Sequence, residues 1–273
     1  MAHAPNKIAP TLVPANAVVS WDEELARAAT IAGSMEAGAG GLQFFSMQAG
    51  QLSFNDMPVP GNQMAVVVLD YILENIYYTE KWEAGNPLPP TCFAFGREDH
   101  KMTPHPVVFE HQQEQNAQCR DCPRNEWASA ETGRGKACRN TRRLAVISAG
   151  TLDPQTARFT AFDDPQHYAD APIQYLKLPV TSVKPWSGYV KQLIATVKRP
   201  PFGVFTRIRV VPDSKTQFRV ECSALSPISD DLRSVIMTRH ADAEKAIDFP
   251  YALDAGDDAQ GAAPRTKTAA KKY

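Results

Sequence analysis

No stretch of this 273-residue chain approaches the roughly 20 consecutive apolar residues that a membrane helix requires, and its start, Met-Ala-His-Ala-Pro-Asn-Lys, has no charged-then-apolar leader. These absences lead us to expect an intracellular, cytoplasmic protein with no membrane partner. Signatures of catalysis are missing as well. There is no Walker-type Gly-rich loop and no convincing nucleophile elbow. A zinc nucleobase deaminase would place a His-x-Glu and a Pro ahead of its cysteine pair; here no His-x-Glu occurs and Pro123 comes after the pair. The adjacent carboxylates Asp163 and Asp164 precede a Pro, which is the setting of a solvated turn more than of a metal nuclease. The chain is expected to bind, not to catalyse.

Cysteine is scarce, with five residues, but four of them are spaced C-x26-C-x2-C-x15-C at Cys92, Cys119, Cys122 and Cys138. In a reducing compartment thiols stay free, and a C-x2-C pair is more often a metal clip than a disulfide. Four such ligands make a closed tetrahedral zinc site, structural because no position is left for water. Cys119, Cys122 and Cys138 form the heart of the set. Cys92 is the natural fourth, since a strand expected over residues 91–95 delivers it; His105 and His111 lie in the intervening loop and could replace it. Cys222 is left as a bystander.

The formal net charge of −1 hides an asymmetry. Between Cys119 and Arg143 there are seven Lys/Arg against three Asp/Glu, and between Lys184 and Arg219 eight against one. Binding follows the local field, so a nearly neutral chain can present a positive groove, although the same counts describe two solvated faces.

Along the chain, prolines 5, 10 and 14 and the lack of apolar periodicity mark residues 1–19 as a flexible arm. Ser20-x-x-Glu23 reads as a capping box opening a helix to about Met35. Residues 42–48 and 51–54 flank Ala49-Gly50 as a hairpin, and residues 64–78, rich in β-branched and aromatic side chains, favour a long strand. Further strands are expected over 144–148 and 174–180, a helix over 185–197, a hairpin from 204–211 and 216–222, and a last helix from Ser229. Residues 251–273 have the composition of a disordered tail. Many short strands with few helices indicate a mostly-β (α+β) fold, a small barrel or sheet with peripheral helices. Residues 20–250 would form this core domain, with a zinc-stapled insertion at about 92–143.

In the hairpin after Pro201, the two-residue period sets Phe205, Arg207 and Arg209 on one face. A ring beside two guanidinium groups suits an unpaired strand, because a base can stack on the ring while arginine holds phosphate. The alternative is a Phe205 covered by the helix over 185–197. Trp127 is open to the same two readings.

The run Cys119-Arg-Asp-Cys122-Pro-Arg-Asn-Glu-Trp127, followed by Gly133-x-Gly-Lys-Ala-Cys138-Arg-Asn-x-Arg-Arg-Leu144, resembles a signature of tailed-phage replication and recombination proteins. A zinc-stapled insertion in a β-barrel is similar to phage helix-destabilising single-stranded DNA-binding proteins of the OB-fold type. The resemblance implies an OB-like small barrel and a non-catalytic protein that coats exposed DNA during replication or recombination, with replication or recombination proteins as further partners. Lys136, Arg139, Arg142, Arg143, Arg207 and Arg209 would meet phosphates, and Phe205 and Trp127 would stack bases. Those phage proteins commonly use a histidine among the zinc ligands and end in an acidic tail. Here Asp254, Asp257 and Asp258 are followed by Arg265, Lys267, Lys271 and Lys272. A zinc-ribbon adaptor between proteins is the second reading of the same cysteines.

Overall fold

The computed structural model describes residues 44–80, 88–251 and 253, together with positions 21, 24, 25, 27, 28 and 31. The chain divides into two units, residues 1–42 and 43–273. In the first, all six described positions are helical, and Trp21, Leu25 and Ile31 are exposed. The capping pair Ser20 and Glu23, the arm over 1–19 and the chain beyond 253 lie outside the described residues.

The second unit is mostly β, a curled half-barrel sheet with few helices. Its strands are β1 (Phe44–Gln48), β2 (Gln51–Phe54), β3 (Met57–Pro58), β4 (Gln63–Tyr77), β5 (Cys92–Gly96), β6 (Arg139–Ser148), β9 (Gln174–Leu178), β10 (Val204–Asp213) and β11 (Gln217–Pro227). The pairing order is β11-β10-β4-β6-β9-β1-β2-β3, with β5 joined to β4. A two-stranded ribbon, β7 (Gly150–Leu152) with β8 (Phe159–Ala161), stands apart. The expected small barrel is thus a larger sheet whose pairing path runs from β11 to β3.

β4 organises this sheet. Its Val66-Val67-Val68 run suits the pleated backbone, and burial on both faces explains why the sequence reads as a continuous apolar run instead of an alternation. Val66 and Val68 enter one core, while Val67 and Leu69 enter the other. A bulge between Val68 and Asp70 then shifts the alternation by one, so that Tyr71 packs with the first core and Ile72 with the second. The first core is covered by α3 (Val180–Thr196) through Trp186, Tyr189 and Leu193. The second is covered by α2 (Pro165–Asp170) and α4 (Arg233–Ala246) through Tyr168 and Ile236.

Turn chemistry explains both hairpins. Ala49 and Gly50 have φ of 50° and 78°, the left-handed pair that a two-residue hairpin turn demands. At the β10–β11 turn, Asp213 Oδ1 accepts from the amides of Lys215 and Thr216, each at 3.0 Å. Helix starts differ from expectation. α3 begins at Val180 and carries Pro185 inside it, tied to the sheet where Ser182 Oγ accepts from the Val220 amide at 2.8 Å. α4 begins at Arg233, because residues 229–231 form a turn whose Leu232 amide bonds the Ser229 carbonyl.

One polar cluster sits inside this apolar frame. Glu74 on β4 and Arg143 on β6 are both fully buried, with Nη2 to Oε1 at 2.6 Å and Nε to Oε1 at 3.0 Å. Arg143 Nη1 donates to the Ile247 and Phe249 carbonyls, and the guanidinium lies 4.2 Å from the rings of both Phe95 and Phe249. Tyr251 OH and Thr141 Oγ1 donate to the same carboxylate. Arg143 is therefore corrected from a phosphate contact to a structural cation with no surface to offer. Removing one member of a buried pair strands the other, which costs about 3–5 kcal/mol. Arg143→Ala is expected to lower urea-unfolding stability by that amount, whereas the paired change Glu74→Met with Arg143→Leu should recover more than half of the loss.

Candidate metal centre and nucleic-acid surface

Between β5 and β6 the chain makes a long excursion with one short helix, α1 (Pro106–Glu110). Its cysteines return to one place. Cys92, Cys119, Cys122 and Cys138 are all buried and unpaired by disulfides, and all four line one cavity of about 20 Å³. That is room for a single atom-sized occupant. The thiols also act on one another. Burial pushes Cys119 up to about 11 and Cys138 up to about 12, and repulsion from neighbouring cysteines adds to both shifts. Burial likewise raises Cys92. Among the described residues, no group of three or more His, Cys, Asp or Glu is placed so that it could hold a metal ion as it stands. The donor chemistry nevertheless suits a thiophilic ion: four cysteines line one small cavity, and burial makes the thiols of Cys92, Cys119 and Cys138 costly to ionise unless a cation offsets the charge. Neither His105 nor His111 lines it. His105 instead caps α1, its Nδ1 accepting from the Val107 amide, and its ring stacks on Phe93 at 5.2 Å.

Backbone and asparagine bonds hold the knuckle in place. The Cys119 amide donates to the Met102 carbonyl at 3.0 Å and the Cys138 amide to the Arg124 carbonyl at 2.7 Å. Asn125 Nδ2 donates to the Cys119 carbonyl at 2.8 Å, and Asn125 Oδ1 accepts from Asn140 Nδ2 at 3.0 Å and Lys136 Nζ at 3.1 Å. Asn140 Nδ2 also reaches Asn75 Oδ1 on β4 at 2.6 Å. The asparagines three residues after Cys122 and two after Cys138 thereby tie the loop to the sheet. Their recurrence beside cysteine was visible in the sequence without a role attached.

Over this knuckle, cations lie near aromatic rings. Arg124 stands 5.2 Å from the Tyr77 ring, Arg139 5.6 Å from Tyr78, and Lys136 5.9 Å from Trp127. Arg124, Lys136, Arg139, Tyr77 and Tyr78 line a polar cavity of about 190 Å³ that Glu80 and Glu131 also border. Trp127 is 78% exposed, enough to present its ring to a ligand. Burial pushes the Tyr78 phenol up, with Arg139 opposing, so the ring stays neutral. Tyr77 and Tyr78 were read from the sequence only as strand residues, and Arg124 was counted in the basic segment without a contact assigned to it.

The remaining expected residues fall elsewhere. Phe205 is buried against Phe159 and Tyr168 beneath the second core, at ring distances of 5.4 and 6.2 Å, so it offers no stacking face. The covering elements are β8 and α2, not the helix expected to cover it. Arg142 is half-buried, donates to the Thr141 carbonyl and does not line the basic cavity. Arg207 bonds Ser223 Oγ and Arg209 bonds Glu221 at 2.7 Å. Both sit where β10 meets the start of β4, opposite Ala65 and Gln63, while the knuckle hangs from Asn75 and Tyr77 at its far end. The two basic segments thus form separate surfaces instead of one clasp.

No protein-family model, no curated protein and no solved structure matches this chain. The physical reading of the knuckle can be tested directly. Losing one hub of a buried amide network costs about 1–3 kcal/mol, a factor of roughly 5 to 150 in local opening. Asn125→Ala should accelerate hydrogen exchange at the Cys138 amide by that factor, while amides within β4 and β6 keep their protection.

Proposed function

We propose that this chain is a non-catalytic, cytoplasmic, phage-type single-stranded DNA-binding protein whose contact surface is the cysteine knuckle. The observation that carries the reading is the juxtaposition of Arg124, Lys136 and Trp127 on the cysteine loop with Tyr77, Tyr78 and Arg139 at the strand ends beside it. Unpaired nucleic acid presents both groups such a surface can use: phosphates for the cations and open base faces for an exposed ring. A duplex hides its base faces. A curled β half-barrel bearing its binding loops at one end is also the kind of platform that OB folds use for single strands.

A zinc ion bound by Cys92, Cys119, Cys122 and Cys138 would supply a cross-link that keeps this polar loop ordered. The protein side of the work belongs to the residues around it. Asn125 and Asn140 hold the knuckle against β4, Lys136 is oriented by Asn125, and Arg124 and Arg139 keep their charges forward of the tyrosines. No described helix is long and apolar enough to cross a membrane.

Anisotropy titrations with single- and double-stranded oligonucleotides test the reading. Three neutralised phosphates predict a log-log salt slope of about −2 on oligothymidine. Arg124→Ala with Arg139→Ala should remove about two thirds of that slope and weaken binding several-fold. Trp127→Ala should cost about 1–3 kcal/mol if its ring stacks a base. Salt-independent binding, equal affinity for duplex, or no binding at low salt would transfer the knuckle to a protein partner, as a zinc-ribbon adaptor. A metal assay on the same sample is expected to find about one zinc per chain, lost in Cys119→Ser and Cys138→Ser. A metal-free protein with unchanged DNA affinity would leave the cysteines as plain packing.

A further inference from the structure

Away from the knuckle, β4 has a stretch of edge that no strand among the described residues covers. β6 pairs one edge of β4 from Val66 to Ile76. On the other edge, β10 pairs Gln63–Val66 and β5 pairs Leu73–Tyr77, leaving residues 67–72 between them. Into this gap opens a cavity of about 480 Å³, floored by Val68–Tyr71 and walled by the end of α3, the turn after it and His240 of α4. A second cavity, of about 340 Å³, adjoins it through the shared walls Arg199 and Phe202. Together they form a groove in the size range of ligand sites.

Two features decide what the groove fits. Its walls are chiefly aliphatic, with Val190, Ile194 and Pro200 in the first cavity and Ile228, Ile236 and Met237 in the second. Ile194 is 59% and Met237 49% exposed, so these walls await cover. Its charge is positive. Lys198, Arg199 and Arg233 line it, and the one carboxylate among the lining residues, Asp70, is already held at both oxygens by Arg97, at 3.0 and 2.6 Å. Arg199 donates to the Gly203 and Ile228 carbonyls, neutral acceptors that leave its charge uncompensated. Arg233 is paired with Asp230 at the surface, where such a pair contributes little. Lys198 is held at a φ of 53°, a backbone conformation uncommon outside glycine and asparagine.

The aromatic rings here already pack on one another: His240 stacks on Phe202 at 4.2 Å, and Tyr71 meets Trp186 edge-on at 5.2 Å. His240 Nδ1 lies 2.8 Å from the Leu69 carbonyl and donates to it, which fixes the ring against β4. We propose that this groove binds a short segment of a partner protein in which acidic and aliphatic residues are interleaved. Aliphatic side chains would fill the two cavities while carboxylates meet Lys198, Arg199 and Arg233. The inference does not rest on the nucleic-acid reading of the knuckle, which hangs from the Asn75–Tyr77 end of β4.

The test uses the full chain and a fluorescein-labelled nonapeptide of aspartate, leucine and isoleucine. Saturable binding is expected, lost for the analogue with lysine in place of aspartate. Ile194→Glu and Lys198→Glu, both at exposed positions, should each weaken it at least ten-fold while thermal unfolding and oligothymidine affinity stay unchanged. Absent binding, or equal binding of the lysine analogue, overturns the proposal. So does displacement of the peptide by oligothymidine with both variants losing DNA affinity, because the groove would then belong to nucleic acid.

Discussion

The Glu74 carboxylate is the point on which this architecture turns. Fully buried between β4 and β6, it accepts from Arg143 twice, from Thr141 and from Tyr251, so its charge and its hydrogen-bonding capacity are both met. A buried carboxylate survives only under such conditions. Arg143 extends the cluster to the Ile247 and Phe249 carbonyls, fastening the chain after α4 across the sheet. The next residue along β4, Asn75, points the opposite way and holds the cysteine knuckle through Asn140. Two adjacent residues of one strand thereby anchor the closing segment on one face and the candidate site on the other.

That arrangement explains how a polar loop of low apolar content keeps a defined shape. The knuckle has little core of its own, so its order comes from three sources: the asparagine network, the amide bonds of Cys119 and Cys138, and the convergence of four thiols on one small cavity. The asparagine network ends on β4 and β6, Cys92 stands on β5, and the two amide bonds close the loop on itself. The surface charges that the loop carries are consequently held against the sheet, the condition under which a few cations and rings can act together.

Charge in this protein sorts by burial more than by sequence neighbourhood. Arg139, Arg142 and Arg143 stand within five residues on β6, yet one is exposed beside Tyr78, one is half-buried, and one is sealed in the core. Strand alternation separates Arg142 from its neighbours, and the tier of aromatic rings over Arg143 does the rest. The groove along the open edge of β4 illustrates the same point, since Lys198, Arg199 and Arg233 come from different elements and converge only in space.

Local patterns sufficed for the longer strands, though not for β3 or the β7–β8 ribbon. The β-branched run of β4, the Ala49-Gly50 turn, the alternation of β10 and the spacing of the cysteines each depend on residues close in sequence, and the mostly-β class and the strands of the hairpins were legible from them. Cys92 could be placed beside the other three because a strand pattern delivers it, whereas His105 and His111, which flank α1, do not line the same cavity. Long-range packing was not legible. That Phe205 is covered, that Tyr251 belongs to the core instead of a tail, that Arg124 and Tyr78 join the basic surface, and that the two cationic segments part company along β4 all follow from which strands pair and where the bulge at Leu69 turns the faces. A sequence encodes the period of burial along each element, but the partner that buries it is set only when distant elements meet.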